Sequence, residues 1–83
     1  MEFKIYIGII EDSTISRKFA LTVQSWDMIF EIKKRVHEQE RDLSPERQRL
    51  VHKGRTLSDD RTLCDYNIRE DDMVVLVPGD KEI

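Results

Sequence analysis

Cysteine is almost missing from this sequence. Cys64 stands alone, so no internal disulfide can form, and the chain suits a reducing compartment. One thiol and two histidines, His37 and His52, which lie apart in the sequence, give none of the ligand spacings of a zinc site, and no metal is expected. Long apolar runs are lacking too. Nothing approaches the roughly 20 residues of a membrane span, and the N-terminus has no basic-then-apolar layout of a signal peptide. A soluble intracellular protein, in cytoplasm or nucleus, is expected. Clusters of basic charge are missing as well: 14 Lys and Arg are scattered among 17 Asp and Glu, for a net charge of -3, which argues against nucleic acid as the main ligand. There are no repeats, linkers or low-complexity tracts.

What is present is a folding pattern. Apolar residues fill 39% of the 83 positions and charged residues 37%, with the signs interspersed, as suits one small domain with a modest core and a solvated surface. Phe3, Ile5 and Ile7 alternate with Lys4, Tyr6 and Gly8, the period of two that lays one strand face on a core, so a strand is predicted from about Glu2 to Ile9. The polar stretch Glu11-Asp-Ser-Thr14 reads as a turn, and Phe19, Leu21 and Val23 resume the alternation in a second strand that closes a hairpin. After Ser25-Trp-Asp27 the period changes: Ile29, Ile32 and Val36 fall at helical spacing, with Glu31, Lys33, Lys34, Arg35 and Glu38 as a charged outer side. Asp27 or Ser25 is expected to cap this helix, which frays near Glu40, before Pro45.

Gln48 to His52 reads as a short strand, Lys53-Gly-Arg55 as a tight turn built on Gly54, and Thr56 with Leu57 as a short edge strand. Thr62 and Asp65 have the spacing of a reciprocal cap and predict a single helical turn, and Met73 to Val77 is the last and most apolar strand. The fold class is therefore α+β, a roll in which a sheet of four to five strands packs on one α-helix. Residues 1–78 form the domain and residues 79–83 a flexible polar tail. The first and last strands are apolar enough to lie side by side at the centre, but pattern alone does not establish a parallel pair.

Gln48-Arg-Leu-Val51, Lys53-Gly-Arg-Thr-Leu57 and above all Asp60-Arg-Thr-Leu-Cys-Asp-Tyr-Asn-Ile68 resemble the second half of ubiquitin nearly position by position. The resemblance runs back through Asp27-Met-Ile-Phe-Glu-Ile-Lys33 and both N-terminal strands, covering about Phe3 to Val77. It implies the mixed sheet of a β-grasp roll. The last of these motifs has its own physical logic: Thr62 and Asp65 cap one short turn, Leu63 and Ile68 point inward, the Tyr66 hydroxyl finds a backbone partner, and Asn67 suits a left-handed residue. Two departures fall in expected loops, a hairpin loop of about Ile10 to Arg17 that is longer than the family's and one extra residue before Leu43. Asp60 stands where ubiquitin has a glycine.

Ubiquitin and its relatives are bound chiefly through an apolar patch on the exposed sheet face. The resemblance puts that patch on Val51 and Val77, with Ile9 or Ile10 from the hairpin and with Val75 in place of a family histidine. Residue chemistry supports it, since aliphatic side chains edged by Arg49, His52, Lys53, Gly54 and Arg55 make a small dry centre with a polar rim. The candidate partner-binding set is Ile10, Arg49, Val51, His52, Gly54, Arg55, Val75 and Val77. The alternative is that the valines face inward or stand exposed singly. Tyr6 maps to a second exposed aromatic position of the family, and Trp26 and Phe30, one helical turn apart, form a secondary surface able to anchor a partner. The favoured alternative has Trp26 stapling the start of the helix and Phe30 packed on the long loop. His37 is expected to be solvated and Cys64 semi-buried. A nucleophile built from Cys64, His52 and Asp65 would need a concave pocket that so small a roll rarely offers, so no catalysis is expected.

Conjugated members of the family share an Arg-rich arm ending in two glycines, whereas this sequence reads Pro78-Gly79-Asp-Lys-Glu-Ile83. The resemblance therefore implies an integral, non-conjugated ubiquitin-like module of a larger protein. Such a module docks as a monomer, without cofactors, on proteins with ubiquitin-binding motifs or on proteasome subunits. Lys33 matches a family lysine, but Arg55 and Glu70 occupy the positions of the two best-known chain-forming lysines, so no role in chain building is expected. Two rivals remain: a modifier processed after Gly79, and a scaffold or autoinhibitory domain packed on its own protein through Trp26 and Phe30.

Overall fold

The alternating N-terminal segments form strand β1 (Glu2–Glu11) and strand β2 (Thr14–Gln24), followed by helix α1 (Ile29–Gln39) and strands β3 (Gln48–His52), β4 (Arg55–Thr56) and β5 (Met73–Pro78). In this computed structural model, which describes residues 1–79, the sheet order is β2-β1-β5-β3-β4. β1 and β5 pair in parallel at the centre and the other neighbours are antiparallel, which settles the pairing that pattern left open. The expected tail lies outside the described residues from position 80 on; the Gly79 amide donates to the Arg47 carbonyl at 2.6 Å.

The core follows strand parity. Phe3, Ile5, Ile7 and Ile9 of β1, Leu21 and Val23 of β2, Leu50 of β3, and Val74 and Leu76 of β5 are buried beneath Ile29, Ile32 and Val36 of α1. Leu57, Leu63 and Ile68 from the segment between β4 and β5 close the end of this core. Each such side chain contributes about 1.5–3 kcal/mol through removal from water. Gln48 is a buried polar tie, its Nε2 donating to the carbonyls of Lys33 and Leu43, both at 2.9 Å.

Three local expectations are corrected. The segment from Ile10 to Arg17 is hairpin rather than loop: Asp12 and Ser13, with φ of 54° and 68°, make a two-residue turn whose twist matches the flanking strands. Ile9 pairs with Arg17 but Ile10 with Ile15, so the extra length is absorbed as a bulge at Ser16. Extending the ladder satisfies backbone groups that a loop would leave to water. Asp27 does not cap α1; its carboxylate accepts the Gln24 N–H at 2.8 Å. The free helix amides of Ile29 and Phe30 donate instead to the carbonyls of Arg61 and Asp59, at 2.8 and 3.2 Å. Lys33 leaves the charged outer side. It lies four residues after Ile29 and three before Val36, on their inward stripe, and its ammonium is 2.7 Å from Asp59 Oδ1.

The Thr62–Asp65 cap forms as the spacing predicts. The Thr62 N–H donates to Asp65 Oδ2 at 3.0 Å and the Asp65 N–H to Thr62 Oγ1 at 3.2 Å, around a single 3-10 turn at Cys64–Tyr66. The Thr62 amide holds the Asp65 carboxyl below its ordinary value. Asn67 is left-handed at φ 57°, and the Tyr66 hydroxyl accepts the Ser58 N–H at 2.8 Å. Cys64 is exposed on this turn, not semi-buried.

Candidate protein-docking surface

Because Ile5, Ile7 and Ile9 face α1, Tyr6, Gly8 and Ile10 face the other way, onto the outer side of the sheet. The ladder then fixes their neighbours. Tyr6 lies opposite Met73 and Gly8 opposite Val75, Val75 opposite Val51, Val77 opposite Arg49, and Ile10 opposite Ile15. Val51, Val75 and Val77 are half-buried on this outer face, while the inward places belong to Leu50, Val74 and Leu76. Of the two hairpin residues, Ile9 is fully buried in the core and Ile10 lies on the outer face.

Three contributors to this face escaped sequence reading. Met73 continues the alternation of Val75 and Val77, a signal that was there to use. Ile15 gave a misleading one, since unbroken parity from Arg17 and Phe19 turns it toward the helix. The bulge at Ser16 reverses it: Arg17 reaches across to Glu40, the residue that ends α1, at 2.9 Å, while Ile15 opposes Ile10 and is 46% exposed. Gly8 is the floor. A Cβ added there would come within 2.9 Å of the Met73 sulfur and 3.3 Å of Ile15 Cδ1, so these two side chains meet over the bare backbone.

The rim is cationic. Arg49, Lys53 and Arg55 are exposed, and Lys53 (φ 52°) with Gly54 (φ 80°) forms the two-residue turn that joins β3 to β4. A hollow of about 300 Å³ at this corner is lined by His52, Lys53, Arg55, Tyr66 and Asn67.

His52 is not a rim residue, as was expected, but a buried one. Strand parity carries it to the side of Gln48 and Leu50, and its Nε2 lies 3.1 Å from Asp72 Oδ2. That carboxylate also accepts the Arg69 N–H at 3.0 Å, and the Arg69 amide, followed by His52, keeps its pKa below the ordinary value. The pair ties the end of β3 to the approach to β5. His37 is half-buried, its Nδ1 3.1 Å from the Leu43 carbonyl, and not fully solvated as expected. Of the three residues of the nucleophile considered, the Cys64 thiol is exposed, the His52 imidazole meets Asp72, and Asp65 caps Thr62.

The secondary aromatic positions divide. Tyr6 is half-buried, with the ammonium groups of Lys4 and Lys18 at 5.4 and 5.8 Å from its ring centre. Trp26 and Phe30 are not covered in the way the favoured alternative required; they are 63% and 41% exposed. Among the described residues, no cluster of three or more His, Cys, Asp or Glu could hold a metal ion, and no helix is long and apolar enough to cross a membrane.

Residues 8–78 match the ubiquitin family. The chain belongs to the ubiquitin family. Its ubiquitin-like domain is 40% identical over 60 residues to UV excision repair protein rhp23 of Schizosaccharomyces pombe, an alignment covering 71% of this chain and 16% of that protein. It is 40% identical over 62 residues to Ubiquitin domain-containing protein DSK2a of Arabidopsis thaliana, covering 75% of this chain and 11% of that one. The ubiquitin-like domain therefore corresponds to a small part of either relative.

Proposed function

We propose that this ubiquitin-like domain is a non-covalent, non-catalytic docking module whose outer sheet face receives proteins with ubiquitin-binding motifs or proteasome subunits. The observation that carries the reading is the apolar face itself. Ile10, Ile15, Val51, Val75 and Val77 share this face, where Ile15 and Met73 meet over Gly8, with Arg49, Lys53 and Arg55 at the edge. A dry aliphatic centre with a charged rim is how a modest recognition surface is built: the centre supplies affinity and the rim sets orientation and encounter rate. Both relatives support an integral module, because the matched segment is 16% of one and 11% of the other, and one of them is named for the ubiquitin domain it contains. An intracellular setting goes with this reading.

The rival in which the chain is processed after Gly79 gains no support. The Gly79 amide is bound at 2.6 Å to the carbonyl of Arg47, the residue before β3, where the family's conjugated members need a free arm. The test is an amide NMR titration with a ubiquitin-associated domain and with a helical ubiquitin-interacting motif. Shifts centred on Val51, Gly54 and Val77, weakened about tenfold or more by Val51→Ala with Val75→Ala, are expected. An absence of shifts at about millimolar partner, the weak end of measurable affinity, would overturn the reading.

A further inference from the structure

Among the described residues, four of the five large apolar side chains that stay exposed gather where β2 turns into α1. Met1, Trp26, Met28 and Phe30 are 80%, 63%, 38% and 41% exposed. Met1 is brought there by its carbonyl, which accepts the Ser25 N–H at 3.1 Å. The backbone beneath Trp26 is held on several sides. Asp27 N–H donates to the Gln24 carbonyl at 2.9 Å, Cys64 N–H to the Ser25 carbonyl at 2.9 Å, and Leu63 N–H to the Asp27 carbonyl at 3.0 Å. An indole on a fixed turn loses little conformational freedom when a partner covers it, which is what makes a strong anchor.

Charge beside this corner selects the partner. The ring of Phe30 lies 5.4 Å from the Lys34 ammonium. Lys34 in turn lines a groove of about 340 Å³ along the outer side of α1, together with Asp27, Glu31, Arg35 and Glu38. The two cations of the groove are engaged, Lys34 over Phe30 and Arg35 through its Nη1, which donates to the Thr22 carbonyl at 2.6 Å. The three carboxylates retain accepting capacity. Asp27 and Glu31 each use one oxygen on a neighbouring amide, and Glu38 forms no ion pair among the described residues. Lys34 and Arg35 keep their charge while so engaged, which leaves the groove with three carboxylates against two cations, a net negative charge of one where the rim of the sheet face is basic, and it is the carboxylates that stay open to a cationic occupant.

We propose that the Trp26–Phe30 corner and the acidic groove beside it form a second docking surface, for a cationic amphipathic segment of another protein. An apolar side chain of that segment covers Trp26 and Phe30, and its Lys or Arg side chains reach Asp27, Glu31 and Glu38. The surface is separate from the outer sheet face and does not depend on the function proposed for that face.

Trp26 is the sole tryptophan, so its emission reports on this corner directly. The probe is a synthetic amphipathic peptide of Leu and Lys, about fifteen residues long so that a helix can form, with a Leu and Glu counterpart as control. Expected with the cationic peptide are a saturable change in Trp26 emission, amide shifts over residues 25–38, and weakening as salt is raised. The acidic counterpart is expected to bind at least about ten times more weakly. Trp26→Ala and, separately, the double variant E31Q/E38Q are each expected to weaken binding about tenfold. The double variant leaves an accepting oxygen for the Met28 amide and keeps the fold, so it decides the matter even if Trp26→Ala unfolds. Equal binding of the two peptides, shifts centred on Val51 and Val75, or no effect of E31Q/E38Q would overturn the proposal. So would emission that changes with the concentration of the domain alone, which would assign the corner to a second copy of this chain.

Discussion

Removing the Asp59 carboxylate tests whether the buried lysine of α1 is a structural ion pair. The Lys33 side chain is 9% exposed and that of Asp59 54%, with 2.7 Å between the charges. A fully exposed pair is worth about 0–1 kcal/mol, and breaking a fully buried one costs about 3–5 kcal/mol because a charge is left without a partner. Water reaches only the carboxylate side here, so Asp59→Ala is expected to cost about 1–3 kcal/mol, a fall in melting temperature of about 5–20 °C for a domain of this size. The Asp59 carbonyl still receives the Phe30 N–H in the variant, which confines the loss to the carboxylate. Lys33→Met keeps the stem on the Ile29 and Val36 stripe and removes the buried charge, so its stability should stay within about 1 kcal/mol of the parent or exceed it. In that background Asp59→Ala should cost under about 0.5 kcal/mol. Urea denaturation of the four proteins closes the cycle. Equal costs of Asp59→Ala in both backgrounds would refute the reasoning, since the carboxylate would then be acting on something other than Lys33.

Ile32→Ala, at a site 1% exposed beneath the sheet, should cost about 2–5 kcal/mol in urea denaturation; a loss under about 1 kcal/mol would mean that the helix packs otherwise. Asn67 stands in the left-handed conformation at φ 57°, which Asn tolerates better than other residues bearing a Cβ because its short polar side chain bonds locally, so Asn67→Ala should cost up to about 1 kcal/mol whereas Asn67→Gly should be close to neutral, and equal effects in thermal melts would count against a backbone cause. The Asp65 and Asp72 carboxyls are both held below the ordinary 3.8. Their contribution is therefore complete above that value and is lost as pH falls through the lower folded pKa. Urea melts taken from neutral pH downward should show this loss, and Asp72→Asn should flatten it; an unchanged slope would remove Asp72 from the account. Deleting Ser16 leaves the pairs Ile9–Arg17 and Ile10–Ile15 intact and should change stability by under about 1 kcal/mol, with cross-strand contacts between Ile10 and Ile15 retained in NMR spectra.

Strands, helix and the capped turn were legible because each writes a short-range period or spacing into the chain. Alternation at Phe3, Ile5 and Ile7 and again at Phe19, Leu21 and Val23 fixes which side is core, and the interval between Thr62 and Asp65 fits only one turn. What was not legible was decided by distant partners or by a break in period. The helix amides are satisfied by carbonyls of Asp59 and Arg61, which no local capping rule can foresee. Lys33 and His52 were put outside because they are polar, although their spacing to Ile29 and Leu50 already pointed inward; Asp59 and Asp72 make those inward places tolerable. On the candidate site, Val51, Val75 and Val77 could be located by resemblance and parity together. Ile15 could not, because a bulge leaves no mark on the sequence that distinguishes it from a longer loop.

The opposite charge of the two surfaces bears on how the domain can be used. Arg49, Lys53 and Arg55 edge the outer sheet face, and Asp27, Glu31 and Glu38 line the groove beside α1 together with Lys34 and Arg35. The molecule measures 37 × 24 × 23 Å, and charge is screened over about 8 Å at physiological salt. Each set therefore acts on what lies next to it and is largely screened from the other. With a net charge of only -3, little long-range field remains to favour one sign of partner overall. Discrimination must then come at contact: an acidic partner meets a complementary rim on the sheet, whereas a cationic partner meets the open carboxylates of the groove. The two proposed surfaces share no residue and lie on either side of the core formed by Ile5, Ile7, Ile29 and Ile32, so they are expected to be filled at once without direct competition, and titration of one partner in the presence of the other should leave its affinity unchanged.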